Sequence, residues 1–122
     1  ALRREIVQTY LQGIKNAKIT LPLPTDTQDM TFEEHVWHLF IIRTTCREAL
    51  QKHLQDRGVQ TLIHYPIPIH KQKAYAEMSA LSLPITEAIH HEVLSLPLGP
   101  TLTLEEAQRV VLACNSFSAG NC

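Results

Sequence analysis

The most concentrated chemistry in the sequence is the run Ile63-His64-Tyr65-Pro66-Ile67-Pro68-Ile69-His70-Lys71-Gln72. It sets two imidazoles, a phenol, an ammonium and an amide on a backbone stiffened by two prolines. Each proline fixes its own φ, removes a backbone donor and drives its predecessor toward extended geometry, so the run cannot be helical. Stiff loops at strand ends hold side chains at low entropic cost, which suits a binding site. His64, Tyr65, His70 and Gln72 carry the donors that phosphate, carboxylate or sugar oxygens need. The alternative is a rigid connector that only packs Ile67 and Ile69 into a core.

The other histidines promise less. His35 and His38 fall on opposite faces of an extended strand, a poor arrangement for a shared metal, and His38 reads as a hydrogen-bonded core residue. His90 and His91 are adjacent on a helix and point about 100° apart, so they chelate poorly and read as solvated surface. His53 reads as a boundary residue. No metal site is expected. The four glycines, Gly13, Gly58, Gly99 and Gly120, are isolated, which leaves no phosphate cradle. GxSxG, HExxH and CxxC motifs are absent. Cys46 lies on an apolar helix stripe without an evident base and reads as a structural thiol. Lysines 15, 18, 52, 71 and 73 sit in polar sequence, whereas a Schiff-base lysine needs burial or a neighbouring charge. No catalytic or cofactor-binding residue is therefore assigned within the chain.

The 122 residues, 44% hydrophobic and 19% charged, fit one globular domain and exclude a disordered chain. Eleven Lys+Arg against twelve Asp+Glu give a net charge of -1. That balance points away from nucleic acid and from anionic membrane as partners. The longest apolar stretch, residues 36–42, is too short to span a bilayer. Cys46, Cys114 and Cys122 are an odd, scattered set with no zinc spacing and no disulfide framework, and a reducing cytoplasm is the simplest compartment. The chain opens without Met in what reads as helix, so an excerpt of a longer protein is expected.

The elements that must position the His64–Gln72 run follow from periodicity. Residues 2–14 place Ile6, Val7, Tyr10, Leu11 and Ile14 on one helical face, with Gly13 weakening the last turn by about 1 kcal/mol relative to Ala. Residues 19–21 form a short strand and 25–34 a polar loop. Residues 36–42 read as a central strand covered on both faces. Cys46, Ala49, Leu50 and Leu54 mark a helix with Gly58 at its C-cap. Residues 59–63 then form a second strand, which makes a βαβ unit of parallel strands. Short helices follow over 71–78 and 85–92, and a third strand over 93–96. Thr103-Leu-Glu-Glu106 is a capping box that opens the last helix, striped by Leu104, Ala107, Val110, Val111 and Cys114. From Phe117 the chain reads as frayed. The fold class expected is α+β, a small sheet of about three strands with helices mainly on one face.

Val36-Trp-His-Leu-Phe-Ile-Ile-Arg43, Arg47-Glu-Ala-Leu-Gln-Lys-His-Leu-Gln-Asp-Arg-Gly58, Thr61-Leu-Ile-His-Tyr-Pro-Ile-Pro-Ile-His-Lys-Gln72 and Glu92-Val-Leu-Ser-Leu-Pro-Leu98, in that order, resemble the C-terminal small domain of the DegT/DnrJ/EryC1/StrS family. These are pyridoxal-phosphate-dependent aminotransferases of nucleotide-linked keto-sugars. The resemblance runs over nearly the whole chain, and its His-Tyr-Pro-Ile-Pro-Ile-His wording is closest to members acting on dTDP-linked keto-hexoses. It implies the aspartate aminotransferase-like, fold type I architecture. Residues 1–16 would be the linking helix and 118–122 a frayed tail. A large domain, absent here, would bind pyridoxal 5'-phosphate, which serves such enzymes as an electron sink. It also implies a nucleotide-linked keto-sugar and an amino-acid donor such as glutamate as partners, a homodimeric parent, and a corner made of His64, Tyr65, His70 and Gln72 facing the substrate. The stretch Met78-Ser-Ala-Leu-Ser-Leu-Pro84 is shorter than is common in members, a local departure at the rim.

Isolated, such a chain would be inactive. Two alternatives stand beside the aminotransferase. One is a cofactor-dependent sugar dehydratase on the same fold, and the other is a free-standing binding module without chemistry. The discriminating feature is the apolar stripe of the first helix, which an excerpt should leave exposed and a stand-alone module should cover.

Overall fold

The computed structural model describes residues 2–22, 35–120 and 122, so the polar loop read over 25–34 lies outside the described residues. The first helix, α1 (Leu2–Gly13), buries Ile6, Val7 and Tyr10, and Ile14 follows them into the core. This stripe lies against the last helix, α4 (Leu104–Asn115), which buries Ala107, Val110, Val111 and Cys114. Gly13 has a packing reason. A Cβ there would stand 2.7 Å from Val111 Cγ1, so the bare backbone lets the two helices close.

Two asparagines then lock the helix ends. Asn16 Nδ2 donates to the carbonyls of Cys114 (2.9 Å) and Phe117 (2.7 Å), and Asn115 Nδ2 donates to Gly13 O at 2.8 Å. Each helix thus has C-terminal carbonyls satisfied by a side chain next to the other. The α1 stripe expected to be exposed in an excerpt is covered from within the chain.

The sheet differs from the sequence reading. It has two strands, β1 (Phe40–Arg43) and β2 (Val93–Leu96), antiparallel with Phe40 opposite Leu96 and Ile42 opposite Leu94. Phe40, Ile42, Leu94 and Leu96 are buried on one face, while Ile41 and Arg43 point outward, so β1 is covered on one side and not two. It also starts late. Trp37 adopts φ 51°, a left-handed conformation that ends extended geometry and folds its indole into the core against Phe40. His38 is exposed rather than a core residue.

Residues 59–63 do not form a second ladder. Leu62 makes a single antiparallel bridge to Ser95, and Thr20 a single antiparallel bridge to Arg43. Because Leu62 and β1 both run antiparallel to β2, they point the same way, as the βαβ reading required. β2, arriving from much later in the chain, lies between β1 and Leu62, so the two parallel segments are not neighbours.

Helix α2 (Arg47–Gln55) packs Leu50 and Leu54 inward. It ends in a Schellman turn: Val59 N–H donates to Leu54 O (2.9 Å), Gly58 N–H donates to Gln55 O (3.0 Å), and Gly58 has φ 77°. The capping box of α4 is formed, with Glu106 N–H donating to Thr103 Oγ1 and Thr103 N–H donating to the Glu106 carboxylate. That second bond comes first among the causes holding the Glu106 carboxyl below the usual range.

Two further readings change. Phe117 is buried and meets the His53 ring edge-on, and Cys46 is joined to Cys122 by a disulfide with Cα atoms 5.1 Å apart. Neither was legible: the disulfide closes over 76 residues, and Cys122 stands seven residues past the end of α4. Tyr10 and Cys114 lie deep in the core, and burial raises both acidities' pKa values, the thiol to about 12. No helix among the described residues is long and apolar enough to cross a membrane.

Candidate functional site

The His64–Gln72 run leaves the sheet edge one residue after the Leu62 bridge. His64 is half-buried, and its Nε2 is buried without a hydrogen-bond partner among the described residues. Tyr65 turns the chain at φ 53° and leaves its side chain 77% exposed. Ile67 and Ile69 are exposed rather than packed. The rigid-connector alternative fails on that point, because the two isoleucines meet no core.

The chain then winds into two short 3-10 segments, Ile69–Lys71 and Lys73–Met78, where a helix was expected over 71–78. His70 is only 4% exposed. Its Nε2 meets Glu87 Oε1 at 2.8 Å, and the carboxylate, which accepts only, assigns the proton to Nε2. Glu87 also accepts the Leu83 N–H. These two bonds, His70 first, hold its carboxyl below the usual range. Lys71 Nζ donates to Ser79 O and Leu81 O, both at 2.9 Å, and Gln72 Nε2 donates back to Ile67 O at 3.2 Å.

Helix α3 (Pro84–Glu92) supports the corner. It buries no residue of its own and runs straight into β2. Besides Glu87, it presents His90, whose Nδ1 bonds the Tyr65 carbonyl. The His90 carbonyl in turn accepts from Nη1 of the buried Arg47 at 2.5 Å.

Of the four residues singled out from sequence, then, His64 and Tyr65 stand together at the turn. His70 and Gln72 lie behind it with their polar atoms engaged inside the chain. Glu87 and Arg47 went unnoticed, and His90, read as solvated surface, is instead bonded to the Tyr65 carbonyl. Glu87 and His90 are three apart on one helix, so they share a face. That pairing beside a proline-rich run was the available signal; Arg47 gave none, since an arginine at a helix start is commonplace.

Tyr65 projects from the corner. A cleft of about 650 Å³ along the same sheet edge is lined by Gln51, Gln55, Gln60, Thr61 and Leu62, and neither His64 nor Tyr65 borders it. Leu62, Ile67 and Ile69, neighbours of the turn in sequence, have exposed apolar side chains. Lysines 15, 18, 52, 71 and 73 are all solvent-exposed, with Lys52 tied to Asp56 and Lys71 to backbone carbonyls.

The model of the DegT/DnrJ/EryC1/StrS aminotransferase family matches residues 1–115. Over 115 residues, 94% of the chain, it is 53% identical to a dTDP-3-amino-3,6-dideoxy-alpha-D-galactopyranose transaminase of Aneurinibacillus thermoaerophilus, covering 30% of that protein. A dTDP-3-amino-3,4,6-trideoxy-alpha-D-glucose transaminase of Streptomyces venezuelae is 40% identical over 119 residues, 95% of the chain and 30% of the relative. Among solved structures, S. venezuelae DesV superposes with a TM-score of 0.80 at 40% identity, covering 93% of this chain and 30% of that one. NtdA from Bacillus subtilis, solved with bound cofactor PMP, gives a TM-score of 0.76 at 35% identity, covering 92% of this chain and 26% of its own. The chain spans about 30% of the length of the curated relatives it matches.

Proposed function

The chain belongs to the DegT/DnrJ/EryC1/StrS aminotransferase family, and on that premise we propose that it is the small-domain portion of an enzyme transferring an amino group from an amino acid, glutamate for choice, to a dTDP-linked keto-hexose. The names of both relatives place an amino group on carbon 3 of a dTDP-linked 6-deoxy sugar. A dTDP-3-keto-6-deoxyhexose is accordingly the substrate we assign. Pyridoxal 5'-phosphate belongs to a large domain outside this chain, and the enzyme works as a homodimer in the cytoplasm.

One observation carries this reading: the exposed Tyr65 turn beside the half-buried His64, whose Nε2 has no partner among the described residues, fixed from behind by α3. Such a corner is half of a site. His64 and Tyr65 offer an imidazole N–H and a phenol O–H to diphosphate or sugar oxygens. His70 and Gln72 belong to the same corner and hold its backbone. Fixing the sugar so that its carbonyl meets the reacting group removes orientational freedom before the barrier is climbed, which is worth several kcal/mol in favourable cases, on the order of 7–11 at the limit.

A free-standing binding module is the second reading, and the covered stripe of α1 favours it. The exposed apolar side chains of the corner weigh the other way. Leu62, Tyr65, Ile67 and Ile69 are all exposed within eight residues of chain, apolar surface that a partner would cover.

Two measurements on the 122-residue chain separate these readings. Incubation with pyridoxal phosphate and borohydride should give only scattered lysine labelling, because no lysine is seated for it. One stoichiometric adduct would contradict the assignment of the cofactor to a missing domain. Calorimetric titration with dTDP-hexose should show binding no tighter than the millimolar range for half a site. Micromolar binding would favour the stand-alone module.

A further inference from the structure

We propose that His90 is a positioning residue for the sugar-binding corner: the bond from its Nδ1 to the Tyr65 carbonyl holds Tyr65 in the left-handed conformation that sets His64 and Tyr65 side by side. The proposal rests on the sugar-site reading given above. A carbonyl oxygen only accepts, so the bond assigns the proton to Nδ1.

Tyr65 needs such a hold for two reasons. At φ 53° it occupies a region that disfavours any residue with a Cβ. It also precedes Pro66, whose ring pushes its predecessor toward extended backbone. A conformation opposed twice over persists only where its surroundings impose it.

His90 is itself well anchored. Its carbonyl, in the last turn of α3, accepts from the buried Arg47 guanidinium at 2.5 Å. That cation also complements the negative end of the helix. The far end of α3 is tied to the corner by the His70–Glu87 bond. At the near end Thr44 N–H donates to Glu92 O at 3.0 Å, where the helix passes into β2. The grip on Tyr65 therefore comes from an element fixed at both ends, and not from a solvated side chain as the adjacent His90-His91 pair suggested.

The ring geometry supplies the test. The asparagine amide nitrogen falls where Nδ1 lies, and that of glutamine where Nε2 lies. His90→Asn should thus keep the bond, while His90→Gln and His90→Ala should lose it. In the ¹⁵N-labelled 122-residue chain, the strong intraresidue HN–Hα contact of a left-handed Tyr65 should survive in H90N and weaken in H90A and H90Q.

In the full-length enzyme, H90A and H90Q should raise KM for a dTDP-3-keto-6-deoxyhexose at least about tenfold, the scale of a modest misplacement. The amino-donor half-reaction should stay within about twofold, and H90N should restore the sugar KM. An unchanged Tyr65 signature in H90A would overturn the proposal. A lost signature with sugar KM untouched would leave the mechanical link standing and contradict the sugar-site reading beneath it.

Discussion

The α1–α4 pair and the α3-backed corner are built from opposite materials. The first buries Ile6, Val7, Tyr10, Val110 and Cys114 and closes its helix ends with Asn16 and Asn115. The second buries none of the residues of α3 and is joined by single polar bonds from Glu87 and His90 to a run whose apolar side chains face outward. Burial is non-directional and fixes that a helix is present. A hydrogen bond is directional and fixes where an atom stands, at a net gain of only about 1 kcal/mol. The fold thus assigns stability to one region and placement to the other, as a domain that positions a substrate without reacting with it would require.

That division can be broken by substitution. Leu50→Ala removes a fully buried side chain from the core beneath the sheet and should cost about 2–5 kcal/mol in urea unfolding, with no effect on the corner beyond lost protein. Gly13→Ala is a sharper probe. Helix propensity alone predicts a gain of about 1 kcal/mol. The 2.7 Å approach to Val111 predicts overpacking of about 1–3 kcal/mol, so a net loss is expected. A gain in Tm would mean that the helices part freely and that the α1–α4 contact is looser than described.

The smallest effect lies in the corner. The Glu87 carboxyl is held below its usual range, so its bond to His70 is fully present above the ordinary glutamate pKa of about 4.3 and is lost as pH falls through the lowered folded value. Histidine resonances of His70 should shift in that acid window before the core unfolds, and Glu87→Gln should abolish this step while leaving the urea midpoint at neutral pH unchanged. An acid step that persists in the variant would place the titration elsewhere.

What the sequence made legible follows the same division. Helical stripes, the Gly58 cap and the Thr103–Glu106 box are local, and each was readable from spacing within a few residues. The sheet was not, because the partner of β1 is β2, which reaches it from fifty residues away and separates it from residues 59–63. Trp37 at positive φ shortened that run, and no propensity announces a left-handed tryptophan. The corner was found by its chemistry and by family resemblance. Its supports were missed because His90 and Glu87 act through backbone and side-chain bonds across 17 and 25 residues, which pattern cannot show. The α1 stripe misled for a related reason: a helix that leads out of one domain was expected to pack there, whereas its partner α4 lies at the other end of this chain.

The proposed role of the corner is to serve the sugar and not the donor. The direct measurement is the pair of half-reaction rates in the full-length enzyme carrying His64→Ala or Tyr65→Phe. Conversion of the dTDP-3-keto-6-deoxyhexose should fall by roughly tenfold or more, the loss expected when a positioning contact is removed, while amination by glutamate proceeds at the wild-type rate. Equal loss in both half-reactions would show that the corner only supports the fold, and the account would be wrong.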